Sequence, residues 1–240
     1  MKTGADELDK AKVSRAYARW APVYDFVFGK VFDPGRQAAI LAAENFGGRI
    51  LEVGVGTGIS LPDYTRAHRV IGVDFCEPML RKACERVEAM GLNHVDGLAV
   101  MDASHLAFAD SSFDVVVGQF LIPAVPNPEA TLDEFVRVVR PDGEIVLVNH
   151  IGAEAGPRRI FETCFAPVGR RLGWRPEFRW GRIARWAEGH GGVDLLERRA
   201  VQPLGHFSLI RFRKRTVPAL ARAVSVNRET GDAVAAGAVP

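Results

Sequence analysis

The chain has only three cysteines in 240 residues, Cys76, Cys84 and Cys164. They cannot staple a chain of this length, which excludes a disulfide scaffold, and none forms a CxxC pair, which argues against a zinc site. This usage fits a reducing cytoplasm. Long apolar runs are also missing. No stretch approaches the ~18 apolar residues of a membrane span, and the polar opening MKTGADELDKAKVSR leads into no secretory h-region. With 24 glycines and 14 prolines the chain is not of low complexity. At 48% hydrophobic and 25% charged it has the composition of a globular protein.

The net charge of +2 hides an asymmetry. Residues 158–215 hold 14 Lys/Arg against 5 Asp/Glu, which leaves the remainder acidic. A basic block on an acidic body fits an anionic partner surface, and a solvated basic face equally accounts for charge asymmetry of this kind.

Along the chain, residues 5–46 read as helical, with breaks at Pro22 and at Asp33-Pro34-Gly35. Five short Val/Ile/Leu-rich runs follow: Arg49 to Gly54, Arg69 to Asp74, Leu98 to Asp102, Phe113 to Gln119 and Glu144 to Ile151. Pro78 opens a helix that stops at Gly91, and another spans Pro128 to Arg140 before a turn at Pro141-Asp142-Gly143. Alternating helices and near-continuous apolar strands predict a parallel sheet covered on both faces. Leu195 to Gln202 and Phe207 to Arg213 predict an antiparallel hairpin closing the sheet. The predicted organisation is an N-terminal helical segment (1–46), an α/β domain (47–224) with a basic-aromatic insertion (158–190), and a loose tail (225–240).

The first apolar run feeds Glu52-Val-Gly54-Val-Gly56-Thr-Gly58. Glycines let a backbone turn approach a ligand closely. The spacing is E-x-G-x-G-x-G, whereas an NAD fingerprint requires G-x-G-x-x-G, and the absence of G-K-[ST] excludes a P-loop. Asp74 ends the second strand, 20 residues after Gly54, where an acid can hold ribose hydroxyls. Asp102 ends the third, with Ala103 beside it, where an adenine amino group and ring nitrogen can be met. Each acid alone is equally a helix N-cap. Together they line the carboxyl edge, where open α/β sheets bind ligands.

LEVGVGTG, GVDFCEPML, MDASHLAFADSSFDVVV and VVRPDGEIVLVNH resemble the motifs of class I S-adenosylmethionine-dependent methyltransferases, over about residues 14–151. The resemblance implies a Rossmann-like fold with a mostly parallel seven-stranded sheet, helices on both faces and a C-terminal antiparallel hairpin. It implies S-adenosylmethionine as cofactor, leaving as S-adenosylhomocysteine, and no metal. The cofactor-binding residues would be Tyr24, Glu52, Gly54, Gly56, Asp74, Phe75, Met79, Asp102, Ala103 and Gln119, with Gln119 near the sulfonium.

YARWAPVYD places Tyr17, Trp20 and Tyr24 three and four residues apart, on one helical face up to the Pro22 interruption. Such a face is either core or an aromatic lid that attracts cations and excludes water. His150, after Asn149 at the end of the fifth strand, either orients an acceptor or is a structural histidine. Together with the basic segment, these features resemble bacterial phospholipid N-methyltransferases of the ubiquinone-methyltransferase-related type. That resemblance implies stepwise methylation of phosphatidylethanolamine through mono- and dimethyl forms to phosphatidylcholine. Tyr17, Tyr24 and His150 would shape the pocket and relay the proton. Tyr17, Trp20, His150, Arg158 and Arg182 would meet the substrate.

In residues 158–186, Phe161, Phe165, Leu172, Trp174, Phe178, Trp180, Ile183 and Trp186 alternate with arginines. This is a pattern for rings at a lipid interface and snorkelling arginines, or for aromatics that pack inward. The partners expected are a phospholipid and an anionic membrane surface, giving a cytoplasmic protein peripherally bound to the inner face of the membrane. No [DN]PP[YF] follows the fourth strand, so nucleic acid is not expected. A quinone-precursor or other small-molecule methyltransferase, and a non-catalytic cofactor-binding or scaffold protein, are the alternatives.

Overall fold

The computed structural model describes residues 24–152, 178–202 and 207–216. The elements in chain order are α1 (Tyr24–Phe46), β1 (Arg49–Val53), a single 3-10 turn (Leu61–Asp63), β2 (Arg69–Asp74), α2 (Glu77–Ala89), β3 (Val95–Val100) and β4 (Phe113–Gln119). Then come α3 (Pro128–Val138), β5 (Val139–His150), α4 (Trp180–His190), β6 (Val193–Val201) and β7 (Phe207–Lys214). Seven strands form one sheet in the order β3-β2-β1-β4-β5-β7-β6. The first five run parallel to one another, and β7 runs antiparallel to both β5 and β6.

The central strands are apolar throughout because both of their faces are covered. One face carries α3 and α4, with Leu132, Phe135, Ile183 and Trp186 packed on Val116, Ile145 and Phe212. The other carries α1 and α2 over Ile50, Val115, Val117 and Val148. Ala39, Ala42 and Ala43 are buried there, and their small side chains let α1 lie close to the sheet. The connections reverse direction between β1 and β4, and open sheets of this kind bind ligands beyond the strand ends at that point.

Several expectations need correction. The break at Asp33-Pro34-Gly35 does not occur, because α1 runs through it. Pro34 removes one helical hydrogen bond. Gly35, however, lets the helix press on the sheet: a Cβ there would lie 3.0 Å from the Phe120 ring and 3.2 Å from Val148. The third strand starts at Val95, not Leu98. It is an edge strand, only partly buried, so its apolar pattern is weak. The fifth strand begins at Val139 and carries Pro141-Asp142-Gly143 within it, at a register shift against β4. Part of the 158–190 segment is the helix α4. Its Ile183 and Trp186, with Phe178 just before it, belong to the core and not to a lipid interface. The tryptophan donates its indole N–H to Asp133 at 2.7 Å, and core packing satisfies the other apolar atoms. The rest of that segment up to residue 177, and the tail 225–240, lie outside the described residues.

Candidate cofactor and acceptor site

A cavity of about 170 Å³ opens at the carboxyl ends of β1, β2 and β4. Its floor is the turn after β1. Gly54, Gly56 and Gly58 take φ of +78°, +57° and +69°. At Gly58 the need for glycine is twofold, since a Cβ would also lie 2.9 Å from both Ala83 and Leu61. Arg86 of α2 donates to the Thr57 carbonyl and ties the turn to that helix.

Asp74 completes the turn. Its Oδ2 accepts the Gly56 N–H at 2.9 Å and its Oδ1 accepts the Cys76 N–H at 2.8 Å. Burial pushes its carboxyl above the usual range, while the backbone N–H groups of Cys76, Gly56 and Phe75 pull it down. The cap of α2 is Cys76, so Asp74 is a wall of the cavity and not a helix cap. Asp102 caps no helix either. Its Oδ1 accepts from the Ser104 N–H at 3.0 Å and from the Ser104 hydroxyl at 2.8 Å, which closes a tight turn. The loop beyond is pinned to α3. Arg137 donates to the Leu106 and Phe108 carbonyls at 2.8 and 2.7 Å, and Leu106 N–H reaches Glu134 at 2.7 Å.

Glu52 lies at the back of the cavity and is 2% exposed. Its Oε1 accepts the Ser60 hydroxyl at 2.6 Å, while Oε2 is buried without a well-formed hydrogen bond, beside the equally buried Tyr64 hydroxyl. Burial raises its pKa to about 7, against the opposing pull of the Ser60 and Tyr64 hydroxyls and of the Arg36 guanidinium. The amide nitrogen of Gln119, on the same wall, is likewise buried without a well-formed hydrogen bond, with the Tyr64 hydroxyl nearby. Buried polar groups without partners are uncommon and call for an explanation. A ligand carrying an ammonium and a sulfonium supplies one for Glu52, and the three acids Glu52, Asp74 and Asp102 lining one cavity favour a cationic guest. The residues present therefore fit S-adenosylmethionine.

The Glu52 shift has a sign that can be checked. Between pH 4.5 and about 7 the native state holds a proton that the unfolded chain has released. The stability this group contributes is therefore full below pH 4.5 and is lost as pH rises through about 7. The loss amounts to about 3 kcal/mol. Affinity for the ammonium moves the other way. Binding of S-adenosylhomocysteine is expected to strengthen up to ~10-fold per pH unit from 5.5 to about 7, then level off, because the guest needs the carboxylate. Titrations across that range should show the rise in the native protein and a flat profile in Glu52→Gln. A rise preserved in the variant would contradict the assignment.

Most sequence-predicted cofactor residues come together. Glu52, Gly54, Gly56, Asp74, Phe75, Met79, Asp102, Ala103 and Gln119 all line the cavity. Tyr24 stands in the first turn of α1, and only its backbone is described. Tyr17, Trp20 and Arg158 lie outside the described residues. His150 does not reach the cavity wall. It stands behind Phe207, with ring centroids 6.5 Å apart. Arg182 of α4 forms a bidentate pair with Glu129 at 2.6 and 2.7 Å and does not line the cavity.

Sequence reasoning missed Arg36, Phe32 and Phe120 on the cavity wall. Phe32 and Phe120 stack with centroids 4.5 Å apart, and both meet the Phe207 ring edge-on, at 5.3 and 5.2 Å. Phe120 has φ +55°, a conformation that costs a bulky residue about 1–3 kcal/mol and tends to mark functional positions. It turns the ring from the end of β4 into the socket over Gly35. The glycine in the otherwise helical Asp33-Pro34-Gly35 is the one sequence signal that pointed here.

Comparison with known proteins bears on the family and the fold. A family described as a methyltransferase domain matches residues 51–147. The chain is 43% identical over 209 residues to a phosphatidylethanolamine N-methyltransferase of Cereibacter sphaeroides, covering 87% of this chain and 100% of that one. It is 32% identical to a demethylmenaquinone methyltransferase of Thermobifida fusca, over 70% of each chain. Among solved structures, a SAM-dependent methyltransferase from Thermotoga maritima, described as a possible histamine N-methyltransferase, superposes with a TM-score of 0.64 at 22% identity. That match covers 85% of this chain and 100% of the other, and shows a shared fold.

Proposed function

We propose that this chain, which belongs to the class I S-adenosylmethionine-dependent methyltransferases, methylates the amine of phosphatidylethanolamine stepwise to phosphatidylcholine. S-Adenosylmethionine is its cofactor, and when bound it supplies an electrophilic methyl group on a cationic sulfur. The observation that carries the lipid reading is the likeness to a phosphatidylethanolamine N-methyltransferase along that relative's entire length.

The chain's own residues support this chemistry. Asp74 and the glycine turn hold the sugar, Asp102 and Ala103 the base, and Glu52 the ammonium of the amino-acid end. Beside Gln119, Phe32 and Phe120 present rings to the acceptor side of the cavity. A ring face attracts an ammonium, so the acceptor amine and each methylated product meet a favourable wall. Transfer requires a neutral amine aligned with the departing sulfur. Holding the two reactants in line can lower the barrier by ~7–11 kcal/mol in favourable cases. Tyr17 and Tyr24 are our candidates for shaping the acceptor pocket and passing on the proton, with His150 one ring behind the wall, and Trp20 and Arg158 for the lipid head.

Peripheral attachment to an anionic inner membrane face is part of the proposal. Arg179 before α4 and Arg185 on it are exposed, as are Arg198, Arg199, Leu195 and Leu196 on edge strand β6, residue types suited to an anionic lipid surface. Among the described residues no helix is long and apolar enough to cross a membrane.

The likeness to a demethylmenaquinone methyltransferase supports a second reading, a quinone-ring acceptor. Purified protein given methyl-labelled cofactor and vesicles of either phosphatidylethanolamine or demethylmenaquinone separates the two. The expected label is in mono-, di- and trimethylated lipid. Label in the quinone alone favours the second reading. Cofactor binding with no transfer to either would leave a non-catalytic binding protein.

A further inference from the structure

Behind the cavity wall, three buried polar atoms meet without a well-formed hydrogen bond: Glu52 Oε2, the Tyr64 hydroxyl and the Gln119 amide nitrogen. The sheet register brings two of them together. Glu52 pairs with Val117 across β1 and β4, so Gln119 stands two residues further along on the same face. Tyr64 enters directly after the 3-10 turn and is 3% exposed. Three contacts pin that turn. The His94 ring donates to the Leu61 carbonyl at 2.9 Å, Arg36 Nε donates to Asp63 at 3.2 Å, and the Thr65 N–H donates to Glu44. Tyr64 does not line the cavity, whereas Glu52 and Gln119 do.

With Glu52 ionised, the donors and acceptors allow one arrangement. A carboxylate only accepts, an amide nitrogen only donates, and a hydroxyl does both. Tyr64 therefore accepts the Gln119 N–H and donates to Glu52. Burial and the charge of Glu52 hold its hydroxyl far above the usual tyrosine range, so this donor keeps its proton. A carboxylate oxygen accepts more than one bond, which leaves room at Glu52 for a ligand ammonium. With its nitrogen committed to the wall, Gln119 has its carbonyl oxygen left for the cavity. We propose that Tyr64 is a positioning residue for the acceptor: through Gln119 it holds a carbonyl oxygen toward the N–H of the amine to be methylated. The proposal rests on the lipid-amine reading of this cavity.

Such a bond acts selectively. A neutral amine attacks with its lone pair, the N–C bond forms as the C–S bond breaks, and the electron pair of the broken bond stays on sulfur. The nitrogen keeps its hydrogens while turning positive, and where it has a hydrogen, one proton is lost to water afterwards. A hydrogen bond from this nitrogen to Gln119 strengthens on the way to the transition state, where it counts toward rate. A primary amine has two such hydrogens, a monomethylamine one and a dimethylamine none. Tyr64 thus serves the first two methylations and not the third.

Tyr64→Phe removes the hydroxyl and keeps the ring. With S-adenosylmethionine saturating, kcat/KM is measured separately on phosphatidylethanolamine and on its monomethyl and dimethyl forms, each carried in phosphatidylglycerol vesicles. The variant is expected to lose ~10-fold on the first two lipids and to stay within about twofold on the third. Gln119→Met is expected to show the same split, and the double variant to fall no further than Gln119→Met alone, because one residue acts through the other. An equal loss on all three lipids, which a purely structural role would give, overturns the proposal. So does no loss on any of them, or a double variant in which the two effects multiply. A native protein that binds S-adenosylhomocysteine but methylates none of the three lipids removes the lipid-amine reading instead, and this inference with it.

Discussion

Asp74→Ala is expected to lower affinity for S-adenosylhomocysteine by at least ~100-fold, about 3 kcal/mol. Two losses add up. The ribose loses a carboxylate acceptor, and hydrogen bonds to charged groups contribute about 1.5–3 kcal/mol each. The Gly56 and Cys76 N–H groups, held at 2.9 and 2.8 Å, also lose their acceptor, so the glycine turn loses its link to the end of β2. Thermal stability should change far less than affinity, because the carboxylate is itself held in a burial-raised state and its removal relieves that cost. Asp74→Asn keeps one oxygen acceptor and should fall between the two. Unchanged affinity in the alanine variant would show that the sugar lies elsewhere.

Glu144→Ala is expected to cost about 3 kcal/mol of stability, a fall in Tm of roughly 6–12 °C for a chain of this size. Glu144 is 1% exposed at the start of the regular part of β5. It accepts from Arg211 at 2.7 and 3.0 Å and from Arg213 at 3.1 Å, both on β7. Removing one side of such a buried pair leaves cations without their partner, typically at 3–5 kcal/mol. The lower end applies here, because Arg211 keeps Glu197 at 3.1 Å and Arg213 reaches solvent. Affinity for the cofactor product should not move, since Glu144 lies at the opposite end of β5 from the cavity. Urea unfolding alongside calorimetry would separate the two effects. A variant as stable as the native protein would mean that the antiparallel strand is held by its apolar face alone.

How far the sequence reached follows from where each residue gets its role. Runs such as Ile50-Leu51 and Val115-Val116-Val117 announce strands because burial on both faces leaves no polar alternation to disguise them. Asp74 and Asp102 were legible for the same reason: each closes an apolar run, and strand ends meet at one edge. Arg36 carries no such mark. On a helix it looks like any solvated charge, and only the crossing of α1 over the strand ends buries it. Phe120 was hidden by its left-handed backbone, which no neighbouring residue type advertises. Glu144 depends on the register that sets it opposite Arg213, a tertiary fact. The aromatic pattern around Trp186 was ambiguous in principle, since helical spacing serves a core and a lipid face alike. Packing against β7 decided it.

The account rests on an adenosyl sulfonium seated over the first crossover of the sheet. Titrating S-adenosylhomocysteine into the folded native protein, as the reference arm for Asp74→Ala, tests this most directly. The account predicts saturable one-site heats that fade as pH falls below about 7 and an affinity at least ~100-fold weaker in the alanine variant. Folded protein that gives no heat with S-adenosylhomocysteine or S-adenosylmethionine anywhere between pH 6 and 8 would contradict it.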